Sequence, residues 1–528
     1  MSAKRSEFGR FRFRHAGASP NFPDMFDPVT APDRPEPVRA PLWMALAVGA
    51  VLLAVVAVLV TVVVVHPTPA PHGTGTMPGS TAAAYPQRWD RRIAPYAKIA
   101  AKQRGLRFEH PVQVRFLPVA RFEKTVTADE GELTAEDRKE LERATGLMRA
   151  LGLIHGDVDF FEASNDVSSG GILAYYSFKT QRITIRGKRL TPAIRSTLVH
   201  ELTHALQDQH FGIGARKKAL EKAAKRGEDT SAPSVLEAVI EGDADRVQDL
   251  YRDSLSPAER RALDSGVADQ NDTASDRLDD VPAIFVTMMT SPYILGRALV
   301  DTVANDGGNA AVDDLLTTSP AHEVALLDPL RVLAGDVEAR PVQVPRLDRG
   351  EKKWESGEFG AVFWYLMLAE RLPLNDALTA VDGWGGDAYV SFGRDGTTCA
   401  RATYVGSDAA ATGQMESALT RWAAAAPGSP TTVTRADGAV HFESCDPGES
   451  ASSGNDASSD AITLVSVRNQ LALSFVKAGA PTDEAQCVVA RLMDTYTLAE
   501  LTVTNEEFTA RHPDAKALTG SFIRACHS

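Results

Sequence analysis

His200 and His204 stand four residues apart with Glu201 next to the first of them, in the stretch Thr191 to Gly212, TPAIRSTLVHELTHALQDQHFG. On a helix this HExxH spacing puts both imidazoles on one face, where they can share a metal ion. The Glu201 carboxylate is set beside them to act on water rather than to bind the metal. The chemistry implied is metal-assisted hydrolysis, with zinc as Lewis acid and Glu201 as the catalytic base that carries a proton from water to the leaving group. Catalytic zinc takes three protein ligands and keeps a position open, so a third ligand must come from downstream. His210 and Glu241 compete for that place. Gln207 stands where a turn glycine would be needed to bring His210 back toward the metal, so the helix is expected to continue and carry His210 away. Glu241 is the better candidate.

The elements that must position these residues are legible around them. Thr191 can N-cap the motif helix, Pro192 suits its first turn and Gly212 can end it, while Leu198, Val199, Leu202 and Leu206 supply an apolar face. A second helix is expected from Pro233 through SVLEAVIEGDADRVQDLY, with Glu237, Glu241 and Asp245 at four-residue spacing. Gly242 costs roughly 1 kcal/mol relative to Ala in a helix interior, which points to close approach of another backbone. Tyr293 and His322 are the candidate donors to a developing oxyanion, Tyr293 the preferred one. Gly171 to Ser177 reads as a strand, against whose edge an extended peptide could pair. Arg216, Lys217, Lys218, Lys222, Lys225 and Arg226 read most simply as a solvated basic face.

HELTH followed by a helix bearing Glu241 and Asp245 resembles gluzincins of the thermolysin type. The resemblance implies that Glu241 is the third zinc ligand and that Asp245 hydrogen-bonds and orients His200. More closely, HELTHALQDQ, EGDA, SPYILG (291 to 296) and GWGGD (383 to 387) resemble a group of bacterial, envelope-associated zinc metallopeptidases over about residues 110 to 390. The chain departs from that pattern at Asp328-Pro329, where His-Pro is expected. The stretch from Cys487 to Cys526 is similar to small disulfide-closed helical units of actinobacterial envelope proteins.

Topology follows from charge and hydropathy. Leu42 to Val65 is a run of 24 residues without a charge, enough to cross a hydrocarbon core of about 30 Å. Seven Lys and Arg precede it and none lies in residues 66 to 84, which sets the N-terminus in the cytoplasm and the rest outside. Residues 1–41 are expected to be a disordered tail, 42–65 a transmembrane helix, 66–84 a Pro/Thr/Gly linker, 85–387 the zincin-like metallopeptidase domain and 388–528 a smaller disulfide-bonded domain. The fold class expected is α+β: mainly helical with a small sheet in the larger domain, then α+β again. Val112 to Leu117 is expected as a strand, Ala135 to Leu151 as a helix capped by Thr134, and Ile172 to Tyr176 with Arg182 to Arg186 as a hairpin. Thr431 to Glu443 and Ile462 to Val476 read as β-like runs, and Gly383 to Asp387 as a tight loop or turn. Four cysteines without CxxC spacing allow three pairings, of which Cys399 with Cys445 and Cys487 with Cys526 is favoured because each brackets one local unit. A net charge of −13 argues against nucleic acid as a partner. The partners expected are the membrane and a peptide or protein substrate in the envelope. A non-catalytic envelope scaffold or binding protein that retains the metallopeptidase fold is the alternative.

Overall fold

The computed structural model describes residues 85–224, 230–278, 281–426, 428, 430–450 and 456–527. The tail, the span at 42–65 and the linker lie outside the described residues, as do Lys225 and Arg226 of the basic run. Among the described residues the chain is α+β, with a three-stranded and a five-stranded sheet set among helices.

The smaller sheet contains β1 (Gln113–Leu117), β2 (Ala174–Ser177) and β3 (Arg182–Arg186) in the order β1-β3-β2. β3 is central, parallel to β1 and antiparallel to β2, which leaves β2 on the edge. Thr134 caps the helix Ala135–Ala150 with a reciprocal box to Asp137. Strand, capped helix and hairpin thus fall where the local patterning put them.

The larger sheet is antiparallel throughout, with β4 (Lys352–Gly357), β5 (Trp384–Arg394), β6 (Thr397–Gly406), β7 (Thr431–Ala436) and β8 (Ala439–Cys445) in the order β4-β5-β6-β8-β7. Two of its hairpins turn on Asp-Gly pairs, Asp395-Gly396 and Asp437-Gly438, whose four residues all have positive φ. That is the conformation a two-residue turn requires to match strand twist. The boundary expected between residues 387 and 388 falls inside β5, and β4, which precedes it, is the edge strand of the same sheet. GWGGD is therefore no loop. Trp384 to Asp387 opens β5, and the buried Asp387 accepts hydrogen bonds from the Phe359 and Gly360 amides and from Trp384 Nε1.

Ile462 to Val476, read as β-like, lies within a helix, Ser458–Lys477. Its buried residues include Ile462, Val465 and Asn469 as well as Leu464, Val467 and Leu471, on more than one side of the cylinder. The helix packs between the long helix Ala283–Thr317 and the helix Thr482–Thr495, so burial from two sides overrides the β preference of its branched residues. Both expected disulfides are present. Cys399 and Cys445 face each other across the β6–β8 ladder, and Cys487–Cys526 ties the helix Thr482–Thr495 to the final helix Ala515–Cys526.

The long helix Ala283–Thr317 is apolar and long enough to cross a membrane by length and composition. Here its apolar side chains, Leu295, Leu299 and Val300 among them, join the main core. It crosses the helix Ala232–Asp253 at two glycines. A Cβ on Gly242 would lie 2.3 Å from the Gly296 backbone, and one on Gly296 would lie 1.8 Å from the Ala238 carbonyl. The two backbones touch, which accounts for Gly242 in a helix interior and carries the flanking Glu241 and Asp245 into the core.

The crossing generates the first prediction. Gly296→Ala forces the helices apart and is expected to destabilise by at least about 1–3 kcal/mol, the usual cost of overpacking. Gly266→Ala is the control: its added methyl meets only Ala193 Cβ, at 3.8 Å, in a helix where Ala is favoured. Urea melts of both variants check this, and an unchanged midpoint for Gly296→Ala would refute the contact.

Candidate metal centre

The motif helix Pro192–Phe211 is capped as its sequence requires: Thr191 accepts from the Ile194 amide, Pro192 starts the first turn, and Gly212 ends it in the left-handed conformation. Residues 196–208 are all buried, so this is a central helix rather than a surface one. Every polar side chain on it must then find a partner. Thr197 and Thr203 bond back to the Ala193 and Val199 carbonyls, Ser196 accepts from Gln248, and Asp208 accepts from the Tyr176 hydroxyl and the Gly214 amide.

His200, His204 and Glu241 form a buried group able to hold a metal ion. Glu241 Oε2 lies 3.1 Å from His200 Nε2 and 3.3 Å from His204 Nε2. Bonds of about 2.0–2.2 Å in a tetrahedral shell place neighbouring ligand atoms about 3.3–3.5 Å apart, so the separations are close to those of a coordination edge. His204 Nε2 is buried and faces Glu241 Oε2 without a well-formed hydrogen bond, an arrangement that a cation held between them would satisfy. His200 Nδ1 faces Asp245 Oδ1 at 3.2 Å, which puts Asp245 where it can orient that ring.

Glu201 stands beside this group without joining it. Its Oε2 accepts a hydrogen bond of 2.6 Å from the Tyr176 amide, on the edge strand β2. Burial pushes its carboxyl up to about 7. Burial would push Glu241 up as well, but the His204 and His200 imidazoles override it and hold that carboxyl at about 2. Burial opposes charge on His200, yet Asp245 and Glu241 outweigh it and raise that imidazole well above its ordinary range; Glu241 does the same for His204 against burial. The Tyr293 ring is buried and stacks on the His200 ring, 6.1 Å between centroids and 24° between planes. Its helix carries Pro292, which cannot bond the Met288 carbonyl; the Ser291 hydroxyl meets that oxygen at 3.4 Å instead.

The other candidate residues lie apart from this group. The helix runs on past Gln207 to Phe211, and exposed His210 bonds the Arg107 carbonyl at 2.7 Å. His322 Nδ1 is held by both Glu358 oxygens at 3.1 Å beside Trp384. Asp328 accepts from Gln486 and from the Leu330 amide. Glu237, one turn before Glu241, is neutralised by Lys217 at 2.6 Å, so Lys217 is a partner of the buried interior and not only part of a solvated face. Sequence reasoning used Gln207 only as a sign that the helix continues and missed its contact with His204, whose Nδ1 lies 3.0 Å from Gln207 Oε1. The signal was its place three residues after His204, on the same helix face. The Tyr176 amide was beyond reach, since only tertiary structure brings it to Glu201.

The raised imidazoles yield a pH prediction with a definite sign. In the metal-free chain they keep protons to higher pH than free histidine does, and a metal must displace them. Zinc affinity is therefore expected to rise from pH 6 to pH 8, about tenfold per pH unit for each proton displaced. Calorimetric titration in two buffers of different ionisation enthalpy counts the protons released, and a release of zero would refute it. Compared with protein-family models, curated proteins and solved structures, the chain gives no match.

Proposed function

We propose that this chain is a zinc-dependent peptide hydrolase, anchored by Leu42 to Val65 with the catalytic part outside the cytoplasm. The carrying observation is the buried convergence of His200, His204 and Glu241, with a separate carboxylate, Glu201, beside it and poised near neutral. Zinc held by the three ligands supplies Lewis acidity, polarising a carbonyl and acidifying water. Glu201 acts as general base, taking the proton of the attacking water and passing it to the departing amine nitrogen. A group that titrates near 7 can both accept and return a proton at neutral pH, which an ordinary exposed carboxylate does poorly. Asp245 holds His200 in place. Tyr293, stacked on His200, is the residue assigned to the developing oxyanion.

The substrate class follows from the edge strand. Tyr176 turns its amide off the β2–β3 ladder toward Glu201, so the free edge of β2 runs beside the base. An extended peptide pairing along that edge would bring its backbone to the site. The partners are then peptides or proteins in the envelope.

Three variants test the reading by zinc content and cleavage of a peptide library. Glu201→Gln is expected to keep about one zinc per chain while hydrolysis falls by about two orders of magnitude or more. Glu241→Ala is expected to lose zinc and activity together, and His210→Ala to change neither. Full zinc occupancy in Glu241→Ala would reject the ligand set. Zinc binding with no cleavage of any peptide by the unaltered chain would favour a non-catalytic scaffold.

A further inference from the structure

Resting on that metal centre, a further role can be read behind it. Gln207 is fully buried, and its side-chain amide nitrogen has two acceptors, the Ile240 carbonyl and Asp243 Oδ2, both at 2.9 Å. Reversing the amide would set its oxygen against two acceptors, so the orientation is fixed. Gln207 Oε1 must then face His204 Nδ1, 3.0 Å away, and can only accept. Nδ1 therefore carries the ring proton, and the lone pair of Nε2 points to where the metal binds. Asp243 is itself immobilised: Arg104 Nε donates to Oδ2 at 2.8 Å, both side chains are fully buried, and Arg104 Nη2 continues to Asp313 at 2.5 Å. Arg104 is the last residue of the helix Ala94–Arg104, at the start of the described chain.

We propose that Gln207, braced by Asp243 and Arg104, is the positioning residue that fixes the tautomer and ring plane of His204, as Asp245 does for His200. The chain of contacts has a direction. The Arg104 cation fixes an anion, the anion fixes an amide, and the amide fixes a tautomer. The helix Ala94–Arg104 thereby becomes part of the metal centre though it contributes no ligand.

The test uses metal alone, read by chelator competition for Zn2+ and by the visible spectrum of the Co2+-loaded chain. Gln207→Ala is expected to weaken Zn2+ binding by about 10–100-fold, the usual effect of losing such a partner, and to shift the Co2+ bands. Gln207→Glu keeps the acceptor for His204 but sets a carboxylate against Asp243, and is expected to bind more weakly still. The shift of the Co2+ bands reports the ligand field at the metal, which a loss of general stability would not reproduce. Unchanged affinity and spectrum in Gln207→Ala, or Zn2+ binding by Gln207→Glu as tight as that of the unaltered chain, overturns the proposal. Failure of the unaltered chain to bind Co2+ or Zn2+ rejects the centre itself, and the inference with it.

Discussion

A carboxylate taken from water into a protein interior costs several kcal/mol unless charge and hydrogen bonds meet it there. Glu241 is buried to 3% exposure, and much of the surrounding architecture compensates for that burial. His200 and His204 reach its Oε2 from one helix, and Lys217 neutralises Glu237 one turn away, which would otherwise repel it. The crossing at Gly242 and Gly296 brings two helix backbones into contact, so no water layer separates this charge from the core. The same crossing places Tyr293, three residues before Gly296, against His200. One backbone contact thus sets the depth of Glu241, the position of Asp245 beside His200, and the Tyr293 ring against the same imidazole.

Local and tertiary information separate cleanly in this chain. The motif helix, its caps, the hairpin β2–β3 and the Glu241 helix were legible because their signals are local: a threonine cap, a terminal glycine, alternation, and a four-residue acidic period. Gly242 was legible because its helix cost had to be offset by something packed against it. Ile462 to Val476 was misread because branched residues favour strands only when nothing else decides, and burial from two sides decided. The boundary near residue 387 failed for a related reason. A change in texture marks where strands begin, but β5 is completed by β4, which ends at Gly357 with two helices between them, and strand pairing is not written in local composition.

Polar side chains buried away from the metal-binding group explain one quoted stretch, GWGGD, that the proposed mechanism does not use. Asp387 of GWGGD accepts from the Phe359 and Gly360 amides, and Glu323 accepts from the Val362 amide and receives the turn at Gly360 against its carboxylate. Ser231, just ahead of the Glu241 helix, donates to Glu358 and accepts from the Glu323 amide. These contacts fasten the start of that helix to the larger sheet and to the apolar helix Ala361–Ala369. A glycine-rich signature can therefore report how a helix is anchored rather than where a substrate sits.

In the proposed mechanism Glu201 has the opposite problem from Glu241. Burial disfavours charge on Glu241 and two imidazoles keep it ionised; a general base at Glu201 would have to change its protonation state, and so must not be held by a fixed cation. Outside the imidazole group its carboxylate meets a neutral amide, that of Tyr176, and burial carries its carboxyl up to about 7. Because that amide belongs to an edge strand, any peptide that straightens or shifts β2 on docking would change the hydrogen bond that moderates the base. Glu201 shares its helix with His200 and His204, and β2 reaches it through the single Tyr176 amide, so a shift of that strand would alter this hydrogen bond while the helix keeps the two imidazoles in place.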